Sequence, residues 1–224
     1  NKQALKVYLD LEITEKDNFE LYYLIGTSYL QINNYQEAIS YLGKSVRVKS
    51  NYYNSYNNRA IAFIKIGENF KAIQDCDNAL KLNPNFNNAL INKGIALKNL
   101  NKFDEAIKCL KKSISINPNL CETYNNLGNI YKQTGDLKKA LEFYNKSISI
   151  NSKDIDAYKN SIADCYCSFV RDGNGKIDRH GYHETAILET IKATIDEAGF
   201  KDVRYIYSPV LNVLNGCVFG RGGI

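Results

Sequence analysis

At 224 residues and a net charge of +5, the chain is long enough for one or two ordinary domains and carries no strong charge bias. Its 29 Lys and Arg are interspersed with 24 Asp and Glu, the pattern of a solvated helical surface, which argues against a nucleic-acid stripe. No apolar run reaches the length of a membrane-spanning helix, and six cysteines without paired spacing read as small apolar fillers in a reducing compartment, cytoplasmic or nuclear.

In chain order, residues 1–17 carry Ala4, Tyr8 and Leu11 at helical spacing. From residue 19 to residue 154 one pattern occurs four times. Gly26, Ala60, Gly94 and Gly128 stand 34 residues apart. So do Tyr22, Tyr56, Leu90 and Tyr124; Tyr29, Phe63, Leu97 and Tyr131; Ala38, Ala72, Ala106 and Ala140; and Ser45, Ala79, Ser113 and Ser147. A fixed period of this size means one supersecondary unit stacked on copies of itself, not a single growing core. Within Asn88 to Pro118, apolar residues recur at helical spacing on both sides of a polar turn at Asn99 to Lys102. Each unit is therefore predicted to be an antiparallel helix hairpin, with small residues where the two axes approach. Pro84 and Pro118 end two of the units, since proline cannot continue the preceding helix.

These residues resemble the tetratricopeptide repeat (TPR), whose first helix carries aromatic, Leu, Gly and aromatic residues and whose second carries Ala, a large apolar residue, Ala and Pro. The stretch "YNNLGNIYKQTGDLKKALEFYNKSISIN", Tyr124 to Asn151, is a close match. The resemblance implies an all-α, right-handed superhelix of antiparallel hairpins. Residues 1–17 are then the second helix of a truncated unit and residues 19–154 four complete units. On that reading the chain starts inside a repeat and is a piece of a longer protein.

Residues 155–200 are expected to form a degenerate fifth unit with an inserted loop at 171–182, and residues 201–224 an irregular tail or the start of another domain. In the fifth unit Ile187, Ile191 and Ile195 would pack on Ala163 and Tyr166. The insertion "DGNGKID" resembles the middle of an EF-hand loop, but Val170 and Gly181 stand where calcium needs oxygen ligands. Cys165, Cys167, His180 and His183 have the residue types of a zinc site. Their spacing is not that of a structural site, and helical residues two apart point to different faces, so no metal and no cofactor is expected. Cys217 lacks an identifiable base nearby, and no catalytic residue is assigned.

The TPR resemblance also implies a concave groove walled by the first helices. At one register on that wall stand Asn58, Asn92, Asn126 and Asn160, with Leu24 breaking the series. A carboxamide both donates and accepts, so a ladder of them can hold a peptide backbone with little regard to side chains. The ladder resembles that in the TPR arm of the O-linked N-acetylglucosamine transferases. Lys65, Lys98 and Lys132 would favour acidic side chains on the ligand. The abundance of Asn, 28 residues by count, leaves open that these are merely exposed polar residues. The carboxylate clamp of the chaperone-adaptor TPRs is absent: Asn58 fits it, but Tyr23, Thr27, Asn88 and Asn92 replace its other members.

The sequence thus points to a non-enzymatic module that binds a protein or peptide segment in the groove, with neither nucleic acid nor membrane as partner. Its open solenoid ends would permit self-association. The alternative is the substrate-recruiting arm of a larger enzyme, glycosyltransferase-like or other, whose catalytic domain lies outside or begins near residue 224.

Overall fold

The structure, a computed structural model, describes residues 2–15 and 17–151. Among these residues are nine helices and no strand: α1 (Lys2–Glu12), α2 (Phe19–Gln31), α3 (Tyr35–Val48), α4 (Tyr53–Lys65), α5 (Asn69–Leu82), α6 (Asn87–Asn99), α7 (Phe103–Ile116), α8 (Cys121–Gln133) and α9 (Leu137–Ile150). The fold is the all-α helical repeat expected. The fifth unit with its insertion, the Cys165, Cys167, His180 and His183 set, Cys217 and the tail lie outside the described residues. The chain divides into two compact units, residues 1–126 and 127–224.

The turn inside each hairpin has a specific cause. Asn33, Gly67, Asn101 and Gly135 have φ of 61°, 82°, 59° and 84°, the left-handed region that glycine enters freely and asparagine tolerates. They recur at the 34-residue period, one residue before the second helix's N-cap. The next residue's N–H reaches back to the last turn of the first helix, as in Asn34 to Tyr29 O, Glu68 to Phe63 O, Lys102 to Leu97 O and Asp136 to Tyr131 O, each 2.9 Å. This is the Schellman closure, which satisfies carbonyls that a helix end leaves without partners.

Hairpin closure rests on pairs of residues 16 apart. A Cβ added at Gly26 would lie 2.7 Å from Leu42 Cγ, one at Gly94 2.9 Å from Leu110 Cγ, and one at Gly128 2.4 Å from Tyr144 Cε1. Leu42, Leu110 and Tyr144 are fully buried. In the second hairpin Ala60 replaces the glycine, and its partner shrinks to Cys76, both within one buried cluster with Ala72 and Ala96. Volume added on one helix is thus removed from the other, as a close-packed interior requires.

Successive hairpins are joined by a second kind of pair. Ser45 Oγ donates to Phe19 O at 2.9 Å and lies 2.8 Å from Ser55 Oγ, linking α3 to α2 and α4. Ser113 and Thr123 repeat the hydroxyl pair at 3.4 Å. At the equivalent place between them the two residues are Ala79 and Ala89, both buried. Each of these three junctions is either hydroxyl on hydroxyl or methyl on methyl, so neither kind strands a buried polar group.

At the position where the first and fourth hairpins bury Ile25 and Leu127, the second and third carry Arg59 and Lys93. Arg59 Nε and Nη2 donate to Asp75 Oδ2 and Oδ1 at 2.7 and 2.8 Å. Asp75 occupies the slot held by Tyr41 in the first hairpin and Phe143 in the fourth. Lys93 Nζ donates to Asp77 Oδ1 of the preceding hairpin at 2.6 Å.

Helix α1 docks on the first hairpin through Leu5, which clusters with Leu21 and Ile25 alongside Tyr8, Leu9, Tyr29, Ile32 and Tyr41. Its C-terminal end is held by Glu12, whose carboxylate accepts from Tyr41 Oη and Lys44 Nζ, both at 2.8 Å. Lys44 Nζ also lies 4.1 Å from the Tyr41 ring centroid. Burial pushes the Glu12 carboxyl up, but the bonds from Lys44 and Tyr41 outweigh it and hold the group below its usual value.

Three expectations follow. Cys76→Leu alone overfills the second hairpin and lowers stability by about 1–3 kcal/mol, and adding Ala60→Gly restores most of it; a double-mutant cycle by denaturant unfolding measures the coupling. Arg59→Ala leaves Asp75 buried without its partner and costs about 3–5 kcal/mol, whereas Arg59→Leu with Asp75→Phe, which copies the apolar hairpins, stays near wild-type stability. Because the Glu12 pKa is depressed by folding, its contribution is complete above the unfolded value of about 4.3 and is lost as pH falls through the lower folded value. Glu12→Gln therefore flattens the acid limb of the stability profile, read as melting temperature against pH.

Candidate functional site

Helices α2, α4 and α6 lie side by side, and the side chains on their common face are linked across three hairpins. Asn58 Nδ2 donates to Tyr23 Oη and to Thr27 Oγ1, both at 3.2 Å. Asn57 Nδ2 donates to Asn58 Oδ1 at 3.2 Å, and Asn92 Nδ2 donates to Asn57 Oδ1 at 2.9 Å. The result is a directional chain of amide bonds running from α6 through α4 to the two hydroxyls of α2. Tyr23 and Thr27 meet Asn58 because they are four residues apart on one helix face.

Each predicted ladder residue therefore has its own situation. Both N–H groups of Asn58 are engaged by α2. Asn92 uses one N–H on Asn57, and its oxygen and second N–H have no partner among the described residues. Asn126, half-buried at the same register of α8, has no hydrogen-bond partner among the described residues. Asn160 lies outside them. Leu24, at the break in the series, is 40% exposed.

The lysines differ as well. Lys98 is half-buried, and burial alone holds its ammonium below the usual value; it has no ion pair among the described residues. Lys132 is half-buried near the end of α8. Lys65 is exposed and stands one residue beyond the register of Lys98 and Lys132, where the chain has Ile64.

Two groups of residues escape a reading for asparagines. Asn57, which relays Asn92 to Asn58, sits beside the ladder register and is 3% exposed. An aromatic row also runs along the N-terminal ends of the same helices. Phe19 meets Tyr52 edge to face at 5.3 Å between centroids, Tyr52 meets Tyr23 at 5.2 Å and 88°, and Tyr53 meets Phe86 at 4.8 Å and 66°. Tyr52 and Tyr53 are 6.4 Å apart. All five rings are half-buried. The signal was present in sequence, because Phe19 and Tyr53 share one register of the period and Tyr52 and Phe86 the preceding one.

The hydrogen-bonded chain on this face is neutral. It consists of amides and hydroxyls, and burial together with the nearby Tyr52 pushes the Tyr23 phenol up, so the phenol stays protonated. Lys49 Nζ caps one end of the aromatic row, 4.0 Å from the Phe19 centroid and 6.0 Å from that of Tyr52. Among the described residues no group of three or more His, Cys, Asp or Glu could hold a metal, and no helix is long and apolar enough to cross a membrane. Cys76 is buried and its thiol is pushed up by burial, then by Asp75 and Asp77, the reverse of what a thiolate nucleophile needs.

Two profiles of the tetratricopeptide repeat match the chain, over residues 19–52 and 86–153. Among solved structures, MamA superposes with a TM-score of 0.60 at 25% identity, over 66% of this chain and 87% of that one. A thermophilic TPR protein of Thermus thermophilus gives 0.64 at 18% identity, over 72% and 89%. YrrB, described as a TPR protein with an unusual peptide-binding site, gives 0.58 at 17% identity, over 86% and 93%. No curated protein matches the chain in sequence.

Proposed function

We propose, from the premise that this chain is a tetratricopeptide-repeat protein, that it binds an extended segment of another protein along the face of α2, α4 and α6, reaching Asn126 in the second turn of α8. The observation that carries the reading is the unused hydrogen-bonding capacity of Asn92 and Asn126, one repeat apart at one register. Each carboxamide can accept from a backbone N–H and donate to a backbone C=O of a peptide crossing the face. Asn58 serves this arrangement indirectly, since its bonds to Tyr23 and Thr27 and its link through Asn57 hold Asn92 in place. Lys98, whose burial disfavours its charge, gains from an acidic ligand side chain nearby, and Lys132 holds the same register one repeat later in sequence. Asn160 holds the same register one period later in sequence. That a protein of this fold, YrrB, has a peptide-binding site is in keeping with this use of the face.

Changing Asn92 and Asn126 together to Ala is expected to weaken a bound peptide by about 1–3 kcal/mol, the net contribution of two hydrogen-bonding sites, with helix content unchanged. The measurement is titration calorimetry of peptides selected on the intact chain from a random dodecapeptide library, with circular dichroism as the folding control. Unchanged affinity for all selected peptides would remove the ladder from the mechanism.

A further inference from the structure

We propose that the aromatic row Phe19, Tyr23, Tyr52, Tyr53 and Phe86 makes this face selective for a proline-rich segment in the polyproline II conformation. The proposal rests on the peptide-binding reading above and names its ligand class. A polyproline II segment presents carbonyls around its axis but few N–H groups, because proline has none and the helix makes no internal bonds. The face that suits it offers aromatic surface for the pyrrolidine rings and hydrogen-bond donors for the carbonyls between them.

Both features converge at Tyr23. Its Oη accepts from Asn58 Nδ2, which also donates to the Thr27 hydroxyl. The phenolic O–H of Tyr23 meets no acceptor among the described residues, so it can donate to a ligand carbonyl. Its ring stands edge to face on Tyr52 at 88°, so this donor belongs to the aromatic row itself. Asn92 adds a second N–H free to donate on the neighbouring hairpin.

The geometry of the row fits as well. Phe19 with Tyr52 and Tyr53 with Phe86 meet edge to face at 67° and 66°, and each ring, being half-buried, keeps part of its surface exposed for a pyrrolidine ring. From Phe19 to Phe86 the steps of 5.3, 6.4 and 4.8 Å span at most about five residues of polyproline II at ~3.1 Å each. That is enough for two prolines three apart, which lie on the same side of this three-fold helix. The Tyr23, Thr27, Asn58, Asn57 and Asn92 chain holds no charged side chain, and Lys49 at the end of the row lies over the Phe19 and Tyr52 rings. An internal segment therefore suits the face better than a terminal carboxylate, whose desolvation needs cationic partners.

The test is the composition of the dodecapeptides selected by the intact chain, followed by calorimetry on three proteins: wild type, Tyr23→Phe, and Tyr52→Ala with Tyr53→Ala. The expected result is enrichment of proline at positions three apart. Tyr23→Phe, which keeps the ring but removes the outgoing donor together with the acceptor of Asn58 Nδ2, should weaken those peptides at least about fivefold, the effect of one hydrogen bond. The double tyrosine variant should weaken them more than tenfold at unchanged helix content. Selected peptides without proline enrichment, or binding indifferent to Tyr23→Phe, overturn the ligand class while leaving peptide binding intact. A library that yields no binder at all overturns both readings.

Discussion

Everything in the described repeats depends on how closely the two helices of a hairpin can approach. The first helix presents a residue with no side chain, or almost none, and the second presses a large one into the space. Gly26 with Leu42, Gly94 with Leu110 and Gly128 with Tyr144 are three such solutions, and Ala60 with Cys76 is a fourth in which a larger first residue meets a smaller partner. Because a Cβ at these glycines would stand 2.4 to 2.9 Å from its neighbour, the approach leaves no slack for a methyl group. The left-handed residue at each turn, Asn or Gly, then returns the chain at an angle that brings the two positions together.

With the hairpins closed, polar residues inside the stack become a matter of pairing. Arg59 and Asp75 occupy positions that are apolar in the first and fourth hairpins, and their two short bonds offset part of the loss of water around the charges, since burial still holds the Asp75 carboxyl above its usual value. Ser45 with Ser55 and Ser113 with Thr123 do the same with smaller energies, while Ala79 and Ala89 dispense with the polar pair altogether. At each of these contacts a change on one side is matched by a change on the other, so the departures occur in pairs and the stack stays tight.

The face proposed to bind a peptide follows a different logic. There the hydrogen bonds run between hairpins and leave selected groups unused: Asn92 and Asn126 keep free capacity, and Tyr23 keeps its proton. Bonded amides such as Asn57 and Asn58 hold these groups in position, and on the proposed reading this preorganisation lowers the ordering cost of binding. The proline-rich ligand class proposed for the aromatic row is compatible with this, because such a segment is itself already ordered.

The repeat, its period, the hairpin and the small-residue contacts were all legible before any coordinates, because residue type at fixed local spacing sets them. The same spacing placed four asparagines at one register, and it held the aromatic registers of Phe19, Tyr52, Tyr53 and Phe86 without drawing notice to them. Which asparagines are free was not legible, since that depends on partners 31 to 35 residues away such as Tyr23, Thr27 and Asn57. Nor did spacing distinguish exposed Lys65 from half-buried Lys98, whose charge is disfavoured by its surroundings. Hydrogen-bond satisfaction and burial are properties of neighbours in space, and those neighbours are assigned only when the hairpins stack.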